Sequence, residues 1–296
     1  NPQPKVVPQP YTNLLTERDI GKPPILETRH LGIDFGGLTA VDGFNITIGP
    51  TEISGLIGPN GAGKTTIFNL LTGVYQPTRG SVLVNGIDIK GMPVYKVNKL
   101  GIARTFQNIR LFTDMTVLDN VKVGLHNSMK CSFFSSVLHL PGYFKAEKRA
   151  NEKAMELLDF MGLAEHANEK AGSLPYGVQR RLEIVRALAT SPKLLLLDEP
   201  DSALDLANRS RMTALLAQLV HTGGKTALVC LHDPALALDS CDILVVLQGG
   251  GGAAVLHPRT DPPAVLQAAL AAVYGPLELL PVTDCRGRRR LALLPL

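Results

Sequence analysis

Gly58-Pro59-Asn60-Gly61-Ala62-Gly63-Lys64-Thr65 is the stretch that decides the fold. It fits G-x-x-x-x-G-K-[ST] and follows an apolar, strand-like run from Ile53 to Ile57. Glycines at 58, 61 and 63 let successive backbone N–H groups turn inward on phosphate oxygens. Lys64 reaches the β- and γ-phosphates, and the Thr65 hydroxyl suits Mg²⁺. A helix starting near Lys64 adds its positive end. Asn60 and Thr66 complete the loop residues expected at the nucleotide. A glycine-rich turn serving only to enter a helix would need neither the lysine nor the threonine.

Leu194-Leu195-Leu196-Leu197-Asp198-Glu199 adds the carboxylates such a site needs. Four successive apolar residues read as a buried strand of a parallel sheet, which binds ligands at the carboxyl ends of its strands. That places Asp198 at Mg²⁺ and leaves Glu199 to polarise a water for attack on the γ-phosphate. A solvated Asp-Glu pair at a strand end is the bland alternative.

Further elements give the chain a resemblance to the ATP-binding cassette (ABC) ATPases. Ser173-Leu174-Pro175-Tyr176-Gly177-Val178-Gln179-Arg180-Arg181, followed by amphipathic Leu182 to Leu188, resembles that family's signature motif. Asp201 to Asp205 is similar to its D-loop, His232 to its switch histidine and Gln107 to its Q-loop glutamine. The order Lys64, Gln107, Gly177, Asp198, Glu199, Asp205, His232 carries the likeness; an isolated Gln or His would not. The resemblance implies Glu199, His232 and Gln107 as catalytic, Thr65, Gln107 and Asp198 around Mg²⁺, and Leu174, Gly177 and Asp205 at the nucleotide. It also implies that Phe35 stacks on adenine, although an aromatic beside Gly36-Gly37 is equally compatible with a core position.

The signature departs from the family's L-S-G-G-Q. Pro175 and Val178 stand where that motif has its serine and glutamine. Gly177 and a helix N-terminus remain as backbone donors. Pro175 also removes one N–H, which is well tolerated just before a helix.

At 296 residues and 45% hydrophobic content, the chain can bury a large core. No run approaches the ~18 to 20 uninterrupted apolar residues of a spanning helix. The expectation is a soluble protein, cytoplasmic and peripheral on the inner face of the cell membrane through a partner. Cys131, Cys230, Cys241 and Cys285 show neither a CxxC spacing nor a disulfide framework. A net charge of +4 is too mild to argue for nucleic acid.

The predicted fold class is α/β: a P-loop NTPase with a mostly parallel, doubly wound core sheet, an antiparallel β subdomain and a helical lobe. Residues 1–24 read as a Pro-rich leader expected to be disordered, 25–256 as the cassette with its helical lobe at about 107–171, and 257–296 as a C-terminal helix and strand-like tail.

Within the family, residues about 25–197 resemble the ATPase subunit of branched-chain amino acid importers, on Phe35-Gly36-Gly37, Ile67-Phe68-Asn69, Arg104-Thr105-Phe106-Gln107 and Tyr176-Gly177 with Arg180 to Ile184. The tail is more similar to siderophore, haem and cobalamin importer ATPases. Asparagine and lysine thin out at the same place, consistent with a chimeric junction near 190–205 or with drift in one lineage. The resemblance implies the ATP-hydrolysing motor of an importer, binding ATP and Mg²⁺, dimerised with a like or unlike ABC ATPase and docked on an integral-membrane permease. A siderophore-type ATPase and a weakly hydrolysing binding cassette are the alternatives. A soluble ABC ATPase of DNA repair or translation would usually carry tandem cassettes or coiled-coil insertions, and this chain has neither.

Overall fold

The computed structural model describes residues 23–125, 141–202, 204–248, 252–283, 287 and 289–296. Nearly all of the expected leader, together with Cys131, Ala203 and Cys285, lies outside them.

Four apolar runs make the centre of the molecule: β3 (Ile53–Ile57), β7 (Leu194–Asp198), β8 (Thr226–Cys230) and β9 (Ile243–Leu247). Every residue of the first three is buried, as expected of parallel strands covered on both faces. With β6 (Ile102–Arg104) and β10 (Ala253–Leu256) they form a six-stranded sheet of order β10-β9-β3-β8-β7-β6, parallel throughout except where β10 joins β9. Side chains alternate between two cores. Leu195, Leu197, Val229 and Val246 face one; Leu194, Leu196, Leu228 and Val245 face the other.

The second core is closed by α1 (Lys64–Leu71) and by an antiparallel sheet of β1 (Leu26–Phe35), β2 (Leu38–Ile48), β4 (Arg79–Val84) and β5 (Ile87–Asp88), in the order β2-β1-β4-β5. A short helix, α2 (Val94–Lys99), precedes β6. The antiparallel subdomain expected from the turn signals at Gly36-Gly37 and Asn85-Gly86 is therefore present.

The first core is closed by α3 (Val117–Leu125), α4 (Pro141–Phe160) and α5 (Tyr176–Ala189), which pack on one another. Ala154 and Leu158 of α4 are fully buried, and Leu157 is half-buried against the same core. Helix does not begin at Gln107, where the helical pattern was placed. It begins at Val117, because the Thr116 hydroxyl caps α3 by accepting from the Asp119 N–H at 3.1 Å. The loop before it is held by buried Asn120, which bonds both the N–H and the carbonyl of Phe112 at 3.0 Å.

Helices α6 (Leu206–His221) and α7 (Pro234–Ser240) follow β7 and β8 as crossovers. The tail consists of α8 (Pro263–Tyr274) and a hairpin of β11 (Leu277–Thr283) with β12 (Arg289–Pro295). Leu266, Leu270, Leu277 and Leu279 join the first core, so the tail packs on its own chain. The two stretches of differing composition interleave in one sheet: β3 lies between β8 and β9, and β7 lies between β6 and β8.

Candidate functional site

Sheet register brings the site together. Leu56 pairs with Cys230, and Cys230 pairs with Asp198, so the ends of β3, β8 and β7 form one row. The phosphate loop, Glu199 and His232 thus leave the sheet at the same carboxyl edge.

The loop is shaped by glycine where nothing else fits. Gly63 has φ 91° and a Cβ there would lie 2.9 Å from the Ala40 carbonyl of β2. Gly63 is also the N-cap of α1 and offers no side chain, so the first N–H groups of the helix are available to an anion. Lys64 is buried, and its ammonium donates to the carbonyls of Gly58 at 2.7 Å and Pro59 at 2.9 Å, which holds the charge over the loop. Asn60 and Thr65 are exposed and Thr66 is half-buried around it.

Glu199 is the focus of the opposite wall. His232 Nε2 lies 2.6 Å from Glu199 Oε1, and Gln107 Nε2 donates to Oε2 at 2.9 Å. The three residues expected to be catalytic are therefore in direct contact. Glu199 has φ 50°, a left-handed conformation costing on the order of 1 to 3 kcal/mol for a residue of this type. It is held there by bonds to its carbonyl from Arg180 Nη2 at 2.8 Å and the Ser202 hydroxyl at 2.9 Å. Asp233, next in the chain after His232, caps α7 by accepting from Ala235 N–H at 2.9 Å, with Pro234 opening the helix.

Asp198 is almost fully buried. Its Oδ2 accepts from Arg104 Nη2 at 2.7 Å, while Oδ1 has no hydrogen-bond partner among the described residues. A buried carboxylate oxygen left open beside a phosphate loop fits a hard, oxygen-seeking cation such as Mg²⁺. Asp198, Glu199 and Cys230 could bring donor atoms within 4.8 Å of one another. Burial, reinforced by Asp198, pushes the Cys230 thiol up to about 12, so it stays protonated and is a poor cation ligand.

Phe35 is 43% exposed at the β1–β2 hairpin and meets Tyr75 edge-on, with ring centroids 5.4 Å apart. Its face is accessible for stacking, and the core position left open by the sequence is excluded. Gly177 lies in the first turn of α5, whose N-cap is Pro175 with ψ 148° and no side-chain cap bond. Val178 packs partly into the core. Two of the expected site residues make local contacts within the single chain. The Leu174 side chain is only 5% exposed and belongs to the core, so the residue presents no side chain to a ligand. Asp205 is the N-cap of α6, with its oxygens accepting from Asn208 N–H at 2.7 Å and Asn208 Nδ2 at 3.1 Å. Within one chain its carboxylate is occupied locally.

Sequence reasoning assigns no role to Arg180, the largest fully buried side chain among the described residues. Its guanidinium donates to the carbonyls of Phe106, Asp198 and Glu199 and pairs with Glu183 at 2.8 Å. Glu183 in turn accepts from Phe106 N–H at 3.4 Å. One buried ion pair in the signature helix therefore fixes the peptide before Gln107 and the backbone of both catalytic-edge carboxylates. Arg104 was likewise read only as part of a string. Spacing reveals neither role, because the partners are distant in sequence.

The ABC transporter family model matches residues 41–202, more than half of the chain, from β2 to the turn after Glu199. The chain belongs to the ABC transporter family. The cassette is 41% identical over 249 residues to the high-affinity branched-chain amino acid transport ATP-binding protein BraF of Pseudomonas aeruginosa, covering 83% of this chain and 98% of BraF. That alignment is longer than residues 25–197, so the likeness continues into the C-terminal part. Among solved structures, the ADP conformation of MJ1267, an ATP-binding cassette of an ABC transporter, matches with a TM-score of 0.68 and 31% identity over 79% of this chain and 91% of that one. A dimeric post-hydrolysis state of the cassette MJ0796 bound to ADP and Pi matches with a TM-score of 0.68 and 26% identity, over 80% and 100%. The cassette is thus an ABC-type ATPase with a P-loop NTPase fold.

Proposed function

We propose that this cassette is the ATP-hydrolysing motor of an importer for branched-chain amino acids. The observation that carries the reading is Glu199 held between His232 and Gln107 at the same sheet edge as the phosphate loop. The likeness to BraF over nearly its whole length supports the solute class.

Lys64, the α1 N-terminus and the loop N–H groups hold the ATP phosphates, and Phe35 stacks on the base. Asp198, Thr65 and Gln107 are the residues that would hold Mg²⁺, which when bound neutralises charge on the phosphates. Glu199 takes a proton from water as its oxygen bonds to the γ-phosphorus and the bond to ADP breaks, leaving ADP and phosphate. Each carboxylate oxygen retains a lone pair beyond those used by His232 and Gln107. Those two residues orient the carboxylate.

Two cassettes, like or unlike, would close on two ATP molecules, with the α5 N-terminus at Gly177 and the Asp205 turn of one facing the phosphate loop of the other. Among the described residues no helix is long and apolar enough to cross a membrane; in this reading the membrane component is a permease. Its docking site is the groove between the loop at 106–112 and the helices α3 and α5, lined by Phe106, Arg110, Phe112, Val123, Glu183 and Arg186. Phe112 and Val123 are exposed there, and Arg110 sits 4.2 Å over the Phe106 ring. In this reading the motor would lie peripherally on the inner membrane face, with the cassette taken as 25–256, the helical lobe as about 107–171 and the tail as 257–296.

The test is capture and stimulation by permease type. Hydrolysis is measured alone and with vesicles carrying a branched-chain amino acid permease or a siderophore-type permease. Selective stimulation by the first is expected; selective capture by the second overturns the assignment, and hydrolysis unaffected by either rejects the transport role.

A further inference from the structure

Arg104 is a buried cation beside Asp198 that the hydrolysis reading leaves without a task. Its side chain is 7% exposed and that of Asp198 1%. Strand β6 pairs with β7 so that Arg104 lies opposite Leu196, two residues before Asp198, and the Thr105 N–H donates to the Leu196 carbonyl at 2.9 Å. By strand alternation Asp198 shares the face of Leu194 and Leu196, which α1 covers. The guanidinium is thereby placed between that helix and the carboxylate.

Four contacts fix it there. Nη1 donates to Asn69 Oδ1 of α1 at 2.6 Å, and Nη2 donates to Asp198 Oδ2 at 2.7 Å. The guanidinium carbon lies 5.4 Å from the centre of the Phe68 ring and 5.2 Å from that of Phe106, within cation–π range of both. A planar fork held in this way bridges two acceptors, which an ammonium on a flexible stem does not reproduce.

The bridge decides which way Asp198 points. The outer torsion of an aspartate is broad and roughly two-fold, so the carboxylate by itself has no preferred oxygen for a cation. Here Oδ2 is taken by Arg104, and Oδ1 is the oxygen with no hydrogen-bond partner among the described residues. The other end of the fork is Asn69, on the same helix as Lys64 and Thr65 and about 7.5 Å along it from Lys64. The candidate cation ligands Thr65 and Asp198 sit on different elements, α1 and β7, and Arg104 spans the two. We propose that Arg104 is a positioning residue for the divalent cation: its fork between Asn69 and Asp198 turns Oδ1 toward the cation and sets the distance from that carboxylate to the helix carrying Lys64 and Thr65.

The inference rests on the ATPase reading above, so the parent chain is the control. Mn²⁺ is the probe: the chain is saturated with a non-hydrolysable ATP analogue, free Mn²⁺ is read by electron paramagnetic resonance, and analogue affinity is measured separately in EDTA. Arg104→Lys keeps the charge and loses the fork. Asn69→Ala keeps both Arg104 and Asp198 and removes only the far anchor. Residues that hold a metal ligand in place are typically worth about 10- to 100-fold in metal affinity, so the Mn²⁺ Kd of Arg104→Lys should rise about 10-fold or more. For Asn69→Ala the rise should be about 3- to 10-fold, the worth of one net hydrogen bond, with analogue affinity in EDTA within about twofold of the parent for both variants. Raising Mg²⁺ should bring their hydrolysis back toward the parent rate. An unchanged Mn²⁺ Kd in either folded variant overturns the inference, and Asn69→Ala alone decides it where Arg104→Lys does not fold. Binding in EDTA weakened by the same factor, or hydrolysis that stays low at any Mg²⁺ concentration, also overturns it by marking a packing role. A parent chain that binds neither analogue nor Mn²⁺ overturns the ATPase reading as well, whereas a binding parent with unaffected variants overturns this inference alone.

Discussion

Replacing Arg180 by Met tests whether the signature helix fixes the catalytic edge through its backbone. Arg180 is 0% exposed and its partner Glu183 is 2% exposed. Methionine fills a similar volume but leaves the Glu183 charge buried and unpaired, which costs about 3 to 5 kcal/mol. It also strips a donor from the carbonyls of Phe106, Asp198 and Glu199. For a chain of this size the Tm should fall by roughly 10 °C. Urea unfolding of Arg180→Met, Glu183→Leu and the double variant separates the contributions. The double variant should recover most of the charge penalty, with a coupling energy of about 2 to 3 kcal/mol, and retain the smaller loss from the carbonyls. Its hydrolysis should remain low even where stability returns, since the Glu199 carbonyl then keeps only the Ser202 hydroxyl of its two side-chain donors. A single variant within 1 kcal/mol of the parent, or a double variant whose losses simply add, would refute the reasoning.

Glu199→Gln should keep ATP binding and lower hydrolysis by about 100- to 10,000-fold, because it removes the base while Lys64 and Asp198 stay in place; light scattering should show dimers accumulating with ATP, and turnover at the parent rate would reject the role. Pro175→Ser places a hydroxyl at the N-cap of α5 in a conformation serine adopts freely, so stability should rise by about 0.5 to 2 kcal/mol and ATP-driven dimerisation by a modest factor. Unchanged dimerisation in sedimentation would mean that the backbone donors already suffice. Burial lowers the pKa of His221, outweighing Asp242 at 3.8 Å. The unfolded chain therefore binds the proton first, and stability held above about pH 6.5 should fall as pH drops below it. His221→Gln should flatten that part of the curve in chemical-denaturation midpoints taken from pH 7.5 to 5.

Much of this molecule is legible without coordinates. The phosphate loop, the buried strands ending at Ile57, Asp198 and Cys230, the helix Lys64–Leu71 and the α/β order all follow from local rules: glycine where the backbone must turn, an apolar run where both faces are covered, a cap where a helix begins. A motif records residue order, and only packing shows that the Leu174 side chain turns into the core.

By itself, then, the sequence determined that the chain is an ABC cassette, which lysine and carboxylates line its candidate site, and which strands carry them, because those properties reside in residues close together along the chain. Only the tertiary structure decided how the carboxylates are held. Arg104 meets Asp198 across 94 positions, Gln107 meets Glu199 across 92, and Arg180 reaches the Phe106 carbonyl across 74. Such partners are chosen by sheet order and register. Leu56, Cys230 and Asp198 share a row because β8 lies between β3 and β7, and the tail joins the first core because Leu266 and Leu270 of α8 pack into it. Periodicity can mark a face as apolar, but it carries no information about which distant backbone that face will meet.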